Sequence, residues 1–180
     1  MNLLICLSII FALSEFFLAI VKHAKSKTSK TRGDKGSMII MWLSITLGFT
    51  AGFFLAGKIN QFWYGFGFVF IVTGLIIRWV SILQLGKSFT VNVAITDSAR
   101  LKTDGLYERI RHPSYTGLLA VIVGFAFVMS SVYSFIAFVV PVFFSVLYRI
   151  NIEEKILINE FGDSYLEYKS RTKRLIPGIY

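Results

Sequence analysis

The chain has 180 residues, of which 55% are hydrophobic and 16% are charged, and its formal net charge is +9. An ordinary soluble domain carries about 25% charged residues, so this composition excludes the soluble globular class and indicates a polytopic membrane protein. The positive charge could suggest nucleic-acid binding, but its largest cluster is a Lys/Ser/Thr loop without interleaved aromatic residues. Because membrane topology and anionic lipid explain such a cluster better, we expect no nucleic-acid partner.

Five apolar segments are predicted to be transmembrane helices. Three of them are residues 2–21, 38–57 and 62–83. Each is long enough to cross a hydrocarbon core of roughly 30 Å at about 1.5 Å per residue. Residues 114–148 contain no charged side chain, and their length fits two tightly turned spans that meet near Ser130 and Ser131. The predicted fold is therefore an all-α, polytopic membrane protein with five transmembrane helices.

Basic residues predict the orientation of these spans. Residues 22–36, which follow the first span, contain six basic residues and one acidic residue. The positive-inside rule places this segment in the cytoplasm and the N-terminus outside. Alternation then puts residues 84–114 and the tail, residues 149–180, on the cytoplasmic side.

The whole chain is expected to form one integral-membrane domain, residues 1–180. The N-terminal spans occupy residues 1–77, and the polar motifs lie in residues 78–180. The first span lacks a basic n-region and a small-residue cleavage pattern, so we expect it to be retained. Cys6 is the only cysteine, which excludes an intramolecular disulfide and a cysteine zinc cluster, and no metal site is predicted.

Polar residues gather at the predicted cytoplasmic ends of the last two spans. Residues 107–117 read Tyr-Glu-Arg-Ile-Arg-His-Pro-Ser-Tyr-Thr-Gly and lead directly into the fourth span. The fifth span is followed by Arg149, Glu153 and Glu154. Polar groups near hydrocarbon are expensive and call for a functional reason. This pattern indicates a cofactor site at the membrane surface.

The segment before the fourth span is predicted to fold over the membrane face. Residues 91–95 alternate in a weak strand pattern, and residues 103–105 are a turn sequence. Pro113 suits the first turn of a helix, which would put His112 at the helix cap. The free backbone N–H groups of that turn favour an anion, such as the carboxylate of a cofactor.

The tail is predicted to contain an amphipathic, interfacial helix that is interrupted near Gly162. Arg149 and Glu153 are one helical turn apart, so a plain i,i+4 ion pair would explain them. The presence of Glu154 and Arg78 at the same membrane face favours a functional site instead.

From Arg78 onward, the chain resembles the isoprenylcysteine carboxyl methyltransferase family, within a wider group of integral-membrane methyltransferases that includes phospholipid methyltransferases. The matching elements are residues 85–89, 103–107, 111–117, 153–154, 161–162, 165–168 and 176–177. Leu106 and Ala99 depart from residues that are frequent in the family, and neither is a proposed ligand.

The resemblance implies S-adenosylmethionine as the methyl donor, bound between the last two spans and the tail. By the same resemblance, His112 and Tyr115 would hold the methionyl end, and the backbone around Gly117 would make room for it. Glu153 and Glu154 would serve the polar and cationic portion of the cofactor.

Arg78 and Arg149 are the candidate catalytic residues that hold an acidic acceptor group. Each lies at the predicted cytoplasmic end of a span. A guanidinium can grip a carboxylate with two hydrogen bonds and stays charged near lipid. The alternative for each arginine is a snorkelling residue that only sets topology.

The predicted function is methylation of a lipophilic acceptor at the cytoplasmic membrane face, most notably the carboxylate of an isoprenylcysteine or a similar lipid-linked O or S nucleophile. The expected partners are a lipophilic small molecule or prenylated substrate, and membrane lipid. Two alternatives stay open: a phospholipid N-methyltransferase, and a protein without methyl transfer, either a sterol-reductase-like NADPH enzyme or a non-catalytic membrane partner. The expected location is the cytoplasmic membrane of a prokaryote or the endoplasmic reticulum of a eukaryote.

Overall fold

The computed structural model describes residue 6 and residues 8–17, 36–58, 60–86 and 101–180. Over these residues the protein is helical and contains no extended strand, which confirms the predicted all-α class for this part of the chain. The helices are α1 (Ser8–Phe17), α2 (Gly36–Phe54), α3 (Gln61–Leu85), α4 (Pro113–Val128), α5 (Val132–Phe161) and α6 (Asp163–Arg171). A short 3-10 helix covers Gly105–Glu108. The predicted strand at residues 91–95 lies outside the described residues.

Three helices, α2, α3 and α5, are long and apolar enough to cross a membrane, and α1 and α4 are shorter apolar helices. Large apolar side chains point outward, including Phe54 at 81% exposure and Leu83 at 71%. So much exposed apolar surface is unsuited to water and suits contact with lipid. The protein is therefore an integral membrane protein.

Polar residues set where the apolar helices begin. The Asn60 side chain accepts a hydrogen bond from a backbone N–H of the first turn of α3, and the Ser131 side chain does the same for α5. Ser130 has a φ of 52°, so the chain reverses direction between α4 and α5 at this residue. The predicted turn near Ser130 and Ser131 is observed between α4 and α5.

Helix α5 is longer than the predicted fifth span. Its 30 residues extend for about 45 Å, which exceeds a hydrocarbon core of roughly 30 Å. The predicted span and the first part of the predicted tail helix are thus one continuous helix, because nothing between Tyr148 and Phe161 breaks its backbone. Gly162 ends it with a φ of 52°, a conformation that favours glycine, and α6 follows. The predicted interruption near Gly162 is confirmed.

The helices pack mainly as two antiparallel pairs, α3 with α4 and α2 with α5. Glycines bring α3 and α4 into backbone contact: a Cβ on Gly74 would lie 2.6 Å from the Gly117 carbonyl oxygen, and one on Gly67 would lie 2.5 Å from that of Gly124. Small residues at helix interfaces serve this purpose in membranes. The centre of the molecule consists of fully buried apolar side chains, including Ile71, Leu118, Val121, Ile122, Phe138, Val142, Val146 and Ile150.

Gly74→Ala is expected to destabilise the protein by about 1–3 kcal/mol, because the added methyl group must push α3 away from α4. Gly65→Ala is a matched control on the same helix, since no atom lies within 4 Å of a Cβ at Gly65. Alanine is the better helix former, so this control should be neutral or stabilising. Unfolding of both variants in detergent would test the packing, and equal midpoints would contradict it.

Candidate functional site

The site is built around the first turn of α4. Pro113 is the first residue of the helix and His112 is its N-cap, as predicted. The His112 backbone carbonyl accepts from the N–H groups of Tyr115 (3.0 Å) and Thr116 (3.1 Å). The His112 side chain makes no cap hydrogen bond. The backbone therefore starts the helix, and the imidazole is available for another role.

The C-terminal tail, which from here on means residues 162–180 after α5, returns to this turn and pairs with it. The Arg111 N–H donates to the Lys173 carbonyl at 2.7 Å, and the His112 N–H donates to the Arg174 carbonyl at 3.0 Å. The Thr116 hydroxyl donates to the Leu175 carbonyl at 2.8 Å. These bonds hold residues 173–175 beside the start of α4.

Two tyrosines, one on α6 and one in the 3-10 helix, connect the same region to α3. The Tyr168 hydroxyl donates to the Tyr107 carbonyl at 2.6 Å, and the Tyr107 hydroxyl donates to the Ser81 carbonyl near the end of α3 at 3.3 Å. Burial raises the pKa of Tyr168 to about 12, so this hydroxyl remains a hydrogen-bond donor at neutral pH. The tail is thus connected to both α3 and α4.

Glu154 is the centre of a buried ionic cluster. Its side chain is only 3% exposed, and it accepts from Arg111 Nε at 2.9 Å and from Arg174 Nη2 at 2.8 Å. Lys169 Nζ lies 3.8 Å away. The bond to Glu154 holds the pKa of Arg174 above its ordinary value. Glu154 is predicted to serve the cofactor, and in the structure its two carboxylate oxygens bind Arg111 and Arg174.

Tyr115 connects Arg149 to Glu153. Its hydroxyl accepts from Arg149 Nε at 2.7 Å and donates to Glu153 Oε2 at 3.0 Å. Arg149 is buried, and its Nη1 donates to the Ser37 hydroxyl on α2 at 3.0 Å. Arg149 and Glu153 are thus linked through the Tyr115 hydroxyl rather than by the simple i,i+4 ion pair. Glu153 keeps 27% of its side chain exposed, so a ligand can reach it.

The His112 imidazole lies between the two carboxylates. Its Nδ1 is 3.9 Å from Glu153 Oε2, and its Nε2 is 3.5 Å from Glu154 Oε1. Among the described residues, Nε2 has no hydrogen-bond partner although it is buried. A buried polar atom is normally paired, so a polar ligand group beside His112 would satisfy it.

Arg78 forms a buried ion pair with Glu15 of α1. The Arg78 Nε and Nη2 atoms both donate to the Glu15 carboxylate, the latter at 2.7 Å. Its Nη1 donates to the Ser114 carbonyl at 3.1 Å. Arg78 is 5% exposed, so it does not snorkel to the surface. Glu15 was missed by the sequence analysis, although it is the only charged residue in residues 2–21, and a lone ionisable residue in a span is a functional signal.

Gly117 faces α3. A Cβ at this position would lie 2.6 Å from the Arg78 backbone nitrogen and 2.6 Å from the Gly74 carbonyl oxygen. We expected the backbone at Gly117 to make room for a cofactor. The absence of a Cβ at Gly117 allows α3 to approach α4 closely.

Among the described residues, the site contains more basic than acidic side chains. In the part of the chain that the structure describes, four basic side chains surround two carboxylates at the α4, α5 and tail junction. They are Arg111, Arg149, Lys169 and Arg174, against Glu153 and Glu154. Excess basic side chains in a largely buried site can hold a carboxylate through charge-assisted hydrogen bonds.

The fold and the site define a helical integral membrane protein with an ionic ligand site at one end of its helices. A family model described as the isoprenylcysteine carboxyl methyltransferase family matches residues 67–159, which is more than half of the chain. The chain belongs to the isoprenylcysteine carboxyl methyltransferase family.

Curated relatives extend the similarity to the N-terminal half. Protein-S-isoprenylcysteine O-methyltransferase B of Arabidopsis thaliana is 34% identical over 177 residues, which cover 95% of this chain and 89% of the relative. The Homo sapiens protein-S-isoprenylcysteine O-methyltransferase is 28% identical over 180 residues, covering 97% of this chain and 63% of the relative. The protein is a methyltransferase, and these relatives support this interpretation over the phospholipid, reductase and non-catalytic alternatives.

A solved structure shares the fold. It is that of a eukaryotic intramembrane Ras methyltransferase of the same family, with a TM-score of 0.70 and 24% sequence identity. The match covers 96% of this chain and 64% of the solved chain. The described helices therefore have the arrangement of a larger membrane methyltransferase.

Proposed function

We propose that this protein transfers a methyl group from S-adenosylmethionine to the carboxylate of an isoprenylcysteine at the cytoplasmic face of a membrane. The observation that carries the proposal is the hydrogen-bonded bridge through Tyr115, which joins Glu153 on one side to the buried Arg149 on the other. One side can hold a donor and the other an acidic acceptor. The relatives named above are protein-S-isoprenylcysteine O-methyltransferases, which supports this acceptor class.

The donor half of the site consists of His112, Tyr115 and Glu153. His112 Nε2, which lacks a hydrogen-bond partner among the described residues, fits a polar group of S-adenosylmethionine, and the partly exposed Glu153 fits a hydroxyl or cationic group. Glu154 acts on this half by fixing Arg111 and the tail beside it. Gly117 contributes by allowing α3 and α4 to approach each other.

The reaction asks the protein for orientation rather than for an acid or a base. When bound, S-adenosylmethionine supplies a methyl group on a positively charged sulfur; an acceptor carboxylate forms the new O–C bond as the C–S electron pair returns to sulfur, and no proton moves. The protein therefore has to hold two ligands in line and exclude water. Buried Arg149, fixed by Tyr115 and Ser37, is suited to hold the acceptor carboxylate.

The topology belongs to the same proposal. Five spans with the N-terminus outside would place the start of α4 and the tail in the cytoplasm. The chain forms a single domain in which residues 1–77 support residues 78–180. The membrane is the cytoplasmic membrane of a prokaryote or the endoplasmic reticulum of a eukaryote. The partners are a prenylated substrate and lipid, with no nucleic acid.

Purified protein incubated with methyl-labelled S-adenosylmethionine and a panel of acceptors tests the proposal. The panel contains a prenylated cysteine, its carboxamide, a phospholipid and a phenolic lipid. We expect label only in the product of the prenylated cysteine, recovered as a base-labile methyl ester. Label in the phospholipid would support N-methylation instead, and no label in any acceptor would contradict the proposal.

His112→Ala is expected to weaken S-adenosylmethionine binding about three- to tenfold, the effect of losing one net hydrogen bond. The helix start should persist, because the backbone of His112, and not its side chain, forms the cap. Calorimetric titration measures the affinity, and an unchanged thermal midpoint serves as the folding control. Equal affinities for the variant and the wild type would remove His112 from the donor site.

A further inference from the structure

Glu15 is the one acidic residue that the structure places against Arg78, and the proposed reaction does not use it. Both side chains are buried, at 5% and 6% exposure. Two guanidinium nitrogens of Arg78 donate to the two oxygens of the Glu15 carboxylate. This is the geometry in which an arginine receives the carboxylate of a ligand.

We propose that Glu15 is a specificity-determining residue: an internal carboxylate that competes with the acceptor carboxylate for Arg78. The inference rests on the proposed function, because it assumes that the acceptor carries a carboxylate. A buried arginine in a membrane protein needs a counter-charge when no ligand is bound, and Glu15 supplies it. The acceptor must then displace Glu15 before it binds Arg78.

Arg78 keeps its position during this exchange because Glu15 is not its only anchor. Arg78 Nη1 donates to the Ser114 carbonyl at 3.1 Å and to the Ser114 hydroxyl at 3.3 Å. Ser114 is in the first turn of α4, next to Tyr115, whose hydroxyl contacts Arg149. The two arginines are therefore attached to consecutive residues of the first turn of α4.

Competition by Glu15 makes Arg78 selective for some carboxylate ligands over others. An incoming carboxylate replaces one two-point ion pair by another, so its charge alone gains little. A ligand that also buries a prenyl chain in the apolar surroundings gains about 25 cal/mol for each Å² removed from water, and this gain drives the displacement. Small anions lack that contribution, and Glu15 excludes them from Arg78.

Titration of nanodisc-embedded protein with a prenylated cysteine and with its carboxamide tests the proposal without depending on methyl transfer. The carboxamide has the same shape but no charge. If the Glu15-paired state occupies about nine tenths of the protein, Glu15→Gln should tighten binding of the carboxylate about tenfold and leave carboxamide binding unchanged. Glu167→Gln removes an equal charge from an exposed position of α6 and should change neither affinity.

A supporting role in folding alone predicts a different result, since loss of Glu15 would then alter both ligands alike. Unchanged or weaker carboxylate binding by a folded Glu15→Gln variant, or equal shifts for both ligands, would overturn the proposal. If that variant does not fold, Glu15→Asp takes its place, because it keeps the charge but shortens the side chain. The measurement is again the ratio of the affinities for the carboxylate and the carboxamide. The proposal is also overturned if the wild type binds neither the prenylated cysteine nor its carboxamide. Failure of the proposed function is recognised separately, as absence of labelled methyl ester from the wild type.

Discussion

Glu154→Gln is expected to release the C-terminal tail and to destabilise the protein by about 3–5 kcal/mol, the cost of removing one partner from a buried ion pair. The glutamine keeps the size of the side chain but leaves Arg111, which is 7% exposed, without its counter-charge. Arg174 loses its carboxylate partner as well. The segment that pairs with the start of α4 should therefore detach.

Limited trypsin digestion is the direct measurement, because the tail contains Lys169, Arg171 and Lys173. Cleavage in the tail of the Glu154→Gln variant should be much faster than in the wild type, and its thermal midpoint should fall. Glu167→Gln is the matched control, since its side chain is 77% exposed and should have almost no effect. A Glu154→Gln tail as resistant as that of the wild type would refute the structural role of the cluster.

Comparison of Glu154→Gln with Glu153→Gln separates the roles of the two adjacent carboxylates. Glu153 is partly exposed and contacts Tyr115 and His112, so Glu153→Gln should affect ligand binding more than stability. From the sequence, Glu153 and Glu154 are predicted to have the same role in cofactor binding, because they are adjacent and carry the same charge. The structure distinguishes them, because Glu154 is buried and Glu153 is partly exposed.

Local signals predicted the start of α4 correctly. Pro113 fixes a first-turn geometry and lacks an N–H that would need a partner, so the helix boundary can be read from one residue. The turn at Ser130 was also predictable, since the charge-free stretch is too long for one crossing. The end of α5 could also be predicted from a single residue, Gly162.

Contacts between distant segments could not be predicted in this way. Arg78 and Glu15 are 63 residues apart, and Arg149 and Ser37 are 112 apart. An apolar span permits many rotations about its own axis, so its sequence does not identify the partner of a polar side chain. The resemblance read from the sequence began at Arg78, yet α1 and α2 each contribute a residue that contacts one of the two proposed acceptor-binding arginines.

Arg149→Lys is expected to raise the KM for the prenylated acceptor about tenfold or more, while S-adenosylmethionine affinity stays nearly intact. Arg149 reaches the Tyr115 hydroxyl with Nε and the Ser37 hydroxyl with Nη1, and these bonds fix the orientation of its planar guanidinium. A lysine keeps the charge and the topology but has one nitrogen, so it cannot hold both hydroxyls and grip a carboxylate with two hydrogen bonds. Arg171→Lys on the exposed face of α6 is the matched control and should leave both constants unchanged. Steady-state kinetics with each ligand varied in turn would decide, because an unaltered acceptor KM and turnover in the Arg149→Lys enzyme would leave this arginine with a structural role only.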